Sequence, residues 1–160
     1  MLFDTLLVLA ITLAGLSAGI FLAFSGGVMP GLRRADDGSF VASMRGINRG
    51  VINPAFLVPI FVSPLLLAGV GIAALINATA ESESGAIGVL LIVAAGIGLL
   101  GGVLVTGARN VPLNNALDAS TADASTTRAA FERAWVASNH VRTVLTLVAF
   151  VIAVVAAVLR

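Results

Sequence analysis

The stretch AIGVLLIVAAGIGLLGGVLV, residues 86–105, contains no charged side chain. A helix of about 20 apolar residues crosses the hydrocarbon core of a bilayer, so this stretch predicts a membrane span. The whole chain agrees with it, because 59% of the 160 residues are hydrophobic and only 11% are charged, with a mean hydropathy of +1.08. A soluble domain has about a quarter of its residues charged. We therefore expect an integral membrane protein with a single transmembrane domain over residues 1–160.

Three further apolar segments are long enough to cross a membrane. The expected spans are residues 4–29, 54–76, 86–108 and 135–159, and together they predict an all-α fold, an integral membrane four-helix bundle. The first segment begins with the acidic Asp4 and is too long for a cleaved signal peptide, so we expect it to be retained. Pro59 and Pro64 are predicted to bend the second span, and such a bend can open a pocket. Pro112 is predicted to end or kink the third helix.

Residues 36–53 predict an additional amphipathic helix between the first and second spans, on the cytoplasmic side and capped by Asp36 or Asp37. Its apolar positions recur at helical spacing: Phe40, Met44, Ile47 and Val51. The side turned away from them is expected to carry Arg45, Asn48, Arg49 and Ile52, with both arginines in solvent. Asn53 directly before Pro54 is typical of a helix start, with the asparagine as cap and the proline at the first position.

The arginines, which supply every basic residue, predict the topology. The first connection contains Arg33, Arg34, Arg45 and Arg49, and the third contains Arg109, Arg128, Arg133 and Arg142. The connection around Glu81 and Glu83 contains none. Cytoplasmic connections carry an excess of arginine and lysine, so residues 30–53 and 109–134 are predicted to be cytoplasmic loops of a multi-pass plasma-membrane protein with both termini outside.

Composition also excludes several kinds of site. With no cysteine, the chain has no disulfide, thiolate catalysis or iron–sulfur cluster. One histidine and a few scattered carboxylates do not make a familiar zinc or non-haem iron site, so no metal is predicted. The net charge of +1 gives no reason to expect nucleic acid as a partner. The expected partners are the lipid bilayer and a hydrophobic small molecule.

Two glycine pairs have a spacing that lets another helix approach closely. Gly15 and Gly19 lie in the first span, and Gly98 and Gly102 lie in the third. They favour a contact between the first and third spans, or a homo-oligomer formed through either face. A chance spacing in helices rich in glycine and alanine explains the first pair equally well.

Most polar residues that loops do not explain lie between Thr106 and Arg142. A 100° step per residue places Glu132, Trp135, Asn139 and Arg142 on one face of the last helix, while Arg133 and His140 fall on another. A break at Pro112 would turn Asn110 and Asn114 towards each other. Two simpler roles stay open, namely Trp135 as an anchor at the membrane interface and Arg142 as a snorkelling or topology-setting arginine.

These residues resemble the anthrone oxygenase-like family. The resemblance rests on Asn110-Val111-Pro112-Leu113-Asn114, followed by Trp135, Asn139 and Arg142, with Asn48 and Asn53-Pro54 in agreement. That family consists of small four-helix membrane proteins, many of them carried as a domain of unknown function. A few fungal members are assigned to the oxidation of anthrones to anthraquinones, without a known cofactor. The resemblance implies a membrane-embedded oxidoreductase, and specifically a cofactor-independent oxygenase acting on a lipophilic phenolic or anthrone-like polycyclic substrate.

Such chemistry requires a base, a cradle for an oxyanion and a dry pocket. The expected cradle is Arg142 with Asn110, Asn114 and Asn139, and Trp135 is expected to stack on the substrate ring. The candidate bases are His140, whose unperturbed pKa is suitable, and Glu132 if it is partly desolvated. Candidate substrate-binding residues are Asn48, Asn53 and Pro112. The cofactor is unknown and none is predicted.

Two other functions remain open at this stage. One is a non-catalytic four-helix membrane protein in which the asparagines and Arg142 form a structural network between the spans. The other is a carrier of a small molecule or ion, which is less favoured because no acidic residue lies deep in any span.

Overall fold

A computed structural model describes residues 1–79 and 84–160, which form five helices and no strand. The helices are α1 (Leu2–Leu32), α2 (Asp37–Gly50), α3 (Pro54–Ile76), α4 (Ser84–Ala119) and α5 (Ala124–Val158). All but α2 are long and apolar enough to cross a membrane, as expected of a multi-pass membrane protein. The all-α bundle and the additional helix between the first two spans are confirmed. The predicted connection around Glu81 and Glu83 lies outside the described residues.

The four long helices pack as a square in which α1 and α4 are diagonal. Helix α1 packs mainly against α3 and α5, and α4 packs against the same two helices. The expected contact between the first and third spans is therefore wrong. A side-chain carbon at Gly98 would lie 3.7 Å from Ala149 of α5, and one at Gly102 would lie 3.5 Å from Ile60 of α3. The spacing of glycines within one helix does not tell which neighbour approaches them.

A close approach of two backbones joins α3 and α4. A Cβ atom at Gly71 would come within 2.9 Å of the Gly88 carbonyl oxygen, and one at Gly88 within 2.8 Å of that of Gly71. In the other predicted pair, Gly15 faces Phe150 of α5 at 3.0 Å, whereas Gly19 is exposed with open space around it. An oligomer through the Gly15 and Gly19 face stays a prediction.

Two separate apolar cores stabilise the molecule. The membrane core contains Leu7, Ala10, Ala14, Leu67, Val70, Ile87, Leu91, Ala94, Ala95, Ala153 and Ala156. The head core contains Met29, Phe40, Val41, Met44, Leu117, Phe131 and Trp135. Helix α4 has 36 residues. At about 1.5 Å per residue, such a helix is longer than the roughly 30 Å of hydrocarbon in a bilayer. Helices α4 and α5 are therefore both longer than the hydrocarbon core is thick, and α2 packs against α5 and against the last part of α4.

Of the two outcomes predicted for Pro112, an end of the helix is wrong, because α4 continues to Ala119. Pro112 lies two residues after a π-helical segment, Thr106–Asn110. The wider turn of such a segment lets a helix accommodate a proline that cannot donate a backbone hydrogen bond. Asn110 and Asn114 thus lie one turn apart on a continuous helix and do not face each other across a break. Helix α3 likewise continues through Pro59 and Pro64, both of them buried.

Helix α2 is capped by Asp36, whose carboxylate accepts a hydrogen bond from the Ser39 backbone N–H at 2.9 Å. This bond lowers the pKa of Asp36 below its ordinary value of 3.8. The buried side of α2 carries Phe40, Val41, Met44 and Asn48. The prediction that Asn48 faces away is wrong, because it lies one turn after Met44 on the same face.

The prediction that Arg45 faces solvent is also wrong. Arg45 is half-buried, and its guanidinium donates to the carbonyl oxygens of Leu117 at 2.9 Å and Ser120 at 2.7 Å. These carbonyls belong to the last turn of α4, where no partner within the helix remains for them. Arg49 and Ile52 are exposed as expected, and Asn53 accepts from the Phe56 N–H at 3.1 Å as the predicted cap of α3.

Candidate functional site

A layer of polar side chains lies between the two cores. It consists of Ser25 of α1, Thr106 and Asn110 of α4, and Asn139, Arg142 and Thr143 of α5, and it is termed the polar layer below. Ser25 lies in a π-helical segment, Phe24–Val28, and Thr106 and Asn110 lie in another, Thr106–Asn110. Such wide turns often occur at functional sites because they redirect side chains from the regular helical path. Both irregular segments thus turn residues into the same layer.

Arg142 is the centre of the polar layer. Its side chain is buried, with 6% of the residue exposed. It donates from Nη2 to Asn139 Oδ1 at 2.7 Å and from Nη1 to Thr106 Oγ1 at 3.1 Å, while Nε has no hydrogen-bond partner. Among residues 1–79 and 84–160, no carboxylate pairs with Arg142. A buried cation without a counter-ion is unfavourable unless something else compensates its charge.

Two aromatic rings partly compensate this charge. The guanidinium carbon of Arg142 lies 4.5 Å from the centre of the Phe21 ring and 5.4 Å from that of Trp135. The electron-rich face of an aromatic ring attracts a cation, and the effect is larger where water is excluded. The guanidinium therefore lies between two flat apolar walls, with two neutral oxygen atoms as its hydrogen-bond acceptors.

Asn139 connects Arg142 to α1. Its Nδ2 donates to Ser25 Oγ at 2.7 Å and to the Phe21 carbonyl oxygen at 3.2 Å. The Thr143 hydroxyl lies 3.0 Å from the same carbonyl oxygen and 2.8 Å from Ser25 Oγ. Because both amide hydrogens of Asn139 are engaged by α1, its oxygen is held towards Arg142.

Thr106 performs a similar positioning role from α4. Its hydroxyl donates to the Gly102 carbonyl oxygen at 2.6 Å and is thereby left to accept from Arg142. Sequence reasoning missed Thr106, Ser25 and Phe21. The spacing of Thr106, one turn before Asn110 on the same helix, was the available signal for the first of them, whereas nothing in the sequence pointed to the other two.

Trp135 forms the boundary between the polar layer and the head core. Its Nε1 donates to Asn114 Oδ1 at 2.8 Å, and its ring centre lies 5.6 Å from that of Phe24 and 6.0 Å from that of Phe131. Only 4% of the residue is exposed, so Trp135 does not lie at the surface as an interface anchor. Asn114 thus fixes the orientation of the ring that faces Arg142.

Asn110 differs from every other amide of the site. It is 1% exposed, and neither its oxygen nor its nitrogen has a hydrogen-bond partner. On α4 it lies between Thr106, which contacts Arg142, and Asn114, which contacts Trp135. A buried amide without partners lowers stability by about 1–3 kcal/mol. Such a group in a native protein calls for an explanation, and a role in binding or catalysis is one.

The structure does not bring the candidate bases into the polar layer. Glu132 accepts from Arg128 Nε at 2.7 Å and from Arg33 Nε at 3.4 Å. His140 is exposed on another side of α5. Both residues line grooves between α1 and α5 that open to the outside. The face predicted from the 100° step therefore holds for Trp135, Asn139 and Arg142, while Glu132 at its outer end belongs to a surface group of ion pairs.

The three candidate substrate-binding residues also lie outside the polar layer. Asn48 is buried on the side of α2 that carries the head-core residues Phe40 and Met44, and its Nδ2 has no partner. Asn53 uses both polar side-chain atoms locally, because its Nδ2 donates to the Gly50 carbonyl oxygen at 2.7 Å while its oxygen caps α3. Pro112 is exposed on α4, where it lines a groove between α4 and α5 that opens to the outside, and its role in substrate binding stays a prediction.

Comparison with known protein families finds a match. A family model described as anthrone oxygenase matches residues 55–152. Comparison with curated proteins and with solved structures gives no match. The matched region covers more than half of the chain and includes Asn110, Asn114, Trp135, Asn139 and Arg142, although not Asn48 or Asn53. The chain therefore belongs to the anthrone oxygenase family.

Proposed function

We propose that this protein is a membrane-embedded oxygenase that oxidises a lipophilic phenolic or anthrone-like polycyclic substrate without a cofactor, and that the polar layer is its active site. The observation that carries the proposal is the buried guanidinium of Arg142, which has neutral acceptors, two aromatic walls and no carboxylate partner among the described residues. Family membership supports the same reaction class. In the orientation predicted from the arginines, the site lies near the cytoplasmic face of the plasma membrane.

The reaction balances without an external reductant. An anthrone loses a proton from the carbon opposite its carbonyl group and becomes a phenolate-like anion. The anion transfers electrons to O₂, a peroxide forms at that carbon, and loss of water leaves a second carbonyl group. One oxygen atom enters the product and the other leaves as water. The protein then has to bind the anion, exclude water and hold the oxyanion in place.

The residues of the polar layer suit these tasks. Arg142 Nε and the amide of Asn110 are the polar groups that still lack partners, so both can donate to a substrate oxygen. Phe21 and Trp135 present flat surfaces on which a polycyclic ring can pack. Positive charge that is close to a phenol favours its ionised form, by about 1–3 pKa units. We therefore assign stabilisation of the substrate anion to Arg142, in place of a base such as Glu132 or His140, and the proton leaves to bulk solvent before the anion is enclosed.

A structural network remains the second candidate function. The bonds from Asn139 and Thr143 to Ser25 and the Phe21 carbonyl oxygen tie α1 to α5, as such a network should. Interhelical hydrogen bonds of this kind contribute roughly 1 kcal/mol each in membrane proteins. Asn110 separates the two functions, because a residue that makes no hydrogen bond cannot stabilise the bundle through one.

The proposal is tested with anthrone as the probe, using the full chain in lipid nanodiscs. Anthraquinone formation and O₂ uptake are followed together and corrected for the slow reaction in empty nanodiscs. Arg142→Gln should lower turnover by about 100-fold, the size of effect found when one oxyanion donor is removed. Arg133→Gln removes an exposed arginine from the same helix and should turn over like the wild type. Wild-type turnover by Arg142→Gln, or wild-type protein no faster than empty nanodiscs, would reject the proposal.

A further inference from the structure

A groove between α4 and α5 opens on the outer surface of the bundle. Its volume is about 630 Å³, which falls within the range of about 300–1,000 Å³ that is usual for small-molecule sites. Small side chains, Ala108, Ala134, Ala137 and Ser138, make this width possible, and Leu113 adds an apolar wall. The groove belongs to the same two helices that carry most of the polar layer.

The groove lies directly outside the proposed active site. Along both helices, a residue that lines the groove is followed in sequence by one that faces inwards: Arg109 by Asn110, Leu113 by Asn114, Ala134 by Trp135, Ser138 by Asn139 and Val141 by Arg142. Ser138 is half-buried, and its hydroxyl donates to the Trp135 carbonyl oxygen at 3.0 Å. The residues that line the groove therefore alternate along both helices with residues of the proposed site, among them Asn110 with its partnerless amide.

The chemistry of the groove matches an amphipathic aromatic molecule. Its lining is mainly apolar, and the exposed guanidinium of Arg109 lies at its edge. Flat aromatic molecules with one polar group settle at the boundary between headgroups and hydrocarbon, as tryptophan and tyrosine side chains do. The arginines of this end of the bundle, Arg109 and Arg133 among them, occupy that boundary in the predicted orientation. A positive charge at the edge favours a phenolate over a neutral or cationic ligand.

We propose that the groove between α4 and α5 is the entrance and outer binding site through which a flat polycyclic phenol passes sideways from the bilayer to Arg142. The inference rests on the proposed function and adds the route and the form of the substrate, an ionisable phenol already dissolved in the membrane. A phospholipid acyl chain and a second copy of the chain are the other molecules that could occupy such a groove.

Trp135 makes the groove directly measurable. It is the only tryptophan of the chain, so intrinsic fluorescence reports on a probe close to this one ring, and the groove variant then shows whether the probe arrives through the groove. The probe is dihydroxyanthraquinone, which absorbs tryptophan emission and is not oxidised further by the proposed reaction. Protein in nanodiscs is titrated with it, and the concentration for half-maximal quenching is compared between variants, with free tryptophan octyl ester in empty nanodiscs as the reference for partition.

Ala137→Phe fills the groove without touching the polar layer. It should raise the half-quenching concentration, and the KM for anthrone, about tenfold, which corresponds to about 1.4 kcal/mol of binding. The matched control is Val144→Phe, which adds the same ring at an exposed position of the same helix outside the groove. It should behave like the wild type. Melting temperatures in detergent verify that both variants fold.

Any of the following results would overturn the inference. One is that Ala137→Phe binds the probe as tightly as the wild type, and another is that Val144→Phe weakens binding as much as Ala137→Phe does. A third is that tryptophan quenching by brominated acyl chains persists when the probe is added, which would show that lipid fills the groove. Disulfide cross-linking between two Ala137→Cys chains in the wild-type background would show a second copy there.

If anthrone is not oxidised but Ala137→Phe still weakens probe binding, the proposed reaction fails and the groove remains a binding site. If anthrone is oxidised equally by wild type and Ala137→Phe, the groove fails and the reaction stands.

Discussion

Arg128 and Arg142 lie on the same helix in opposite surroundings. Arg128 pairs with Glu132 at 2.7 Å and with Asp37 at 3.0 Å, and it donates to the carbonyl oxygens of Ala35 and Arg33. Arg142 is more deeply buried, yet its acceptors are one amide and one hydroxyl. Among residues 1–79 and 84–160, Arg128, which joins α5 to α2, has carboxylate partners, whereas Arg142 inside the bundle has none. This difference is what the proposed role of Arg142 in binding an anionic substrate requires.

The largest effect on turnover is expected when Arg142 is given a carboxylate partner, as Arg128 has. Asn139→Asp places one at the oxygen that already accepts from Arg142 Nη2. Neutralising the guanidinium removes its attraction for an oxyanion, so turnover of anthrone should fall about 100-fold. Asn139→Ser, which removes the bond to Arg142 without adding charge, is the control and should lose less. Equal activity of Asn139→Asp and wild type would show that the charge of Arg142 is not used.

The two arginines are also expected to differ in what their replacement changes, stability for Arg128 and turnover for Arg142. Arg128→Gln leaves Asp37 and Glu132 without their main partner, and it should lower stability by about 2 kcal/mol while leaving turnover near the wild-type level. Arg142→Met keeps most of the side-chain volume and removes the buried charge, so the melting temperature should stay the same or rise while turnover is lost. Melting in detergent and anthrone oxidation are measured on the same preparations. If both variants failed to fold, Arg142 would have a structural role like that of Arg128.

How far the sequence predicts this molecule depends on whether a feature lies within one helix or between helices. Hydropathy located the spans, periodicity located α2, and the 100° step placed Trp135, Asn139 and Arg142 on one inward face. The contact between Ser25 and Asn139 joins residues 114 positions apart, and no local pattern records it. Sequence reasoning missed three other features: the inward position of Asn48, the cap that Arg45 provides for α4, and the passage of α4 through Pro112. Each depends on a neighbouring element or on a π-helical turn.

A smaller effect is expected at Asn110. Asn110→Leu removes a buried amide that has no partner and keeps the side-chain size, so stability should rise by about 1 kcal/mol while turnover falls. Asn139→Leu is the matched comparison, since it breaks the bonds to Ser25, the Phe21 carbonyl oxygen and Arg142, and it should lower the melting temperature. A drop in stability for Asn110→Leu as large as that for Asn139→Leu would assign Asn110 to the structural network.

The smallest expected effect is a pH dependence of stability that comes from the carboxylates capping α2 and α5. Asp36 and Asp123 cap α2 and α5 by accepting backbone N–H bonds from Ser39 and Thr126, and these bonds lower the pKa of both carboxyls below 3.8. A carboxyl with a lowered pKa in the folded protein contributes stability above its unfolded pKa and loses it as the pH falls through its folded pKa. Wild-type melting should therefore decrease below about pH 4. Asp123→Asn, which keeps a cap but cannot titrate, should show a weaker decrease; an identical pH profile would contradict this origin.

The central claim is that the guanidinium of Arg142 binds the oxyanion of a phenolic substrate. The most direct measurement is an absorbance titration of dihydroxyanthraquinone bound to the protein in nanodiscs, because its phenol and phenolate forms differ in colour. The bound phenol should ionise at least about 1 pH unit lower than in empty nanodiscs, and Arg142→Met should abolish this shift. An ionisation midpoint that is the same in wild-type protein, Arg142→Met and empty nanodiscs would contradict the claim.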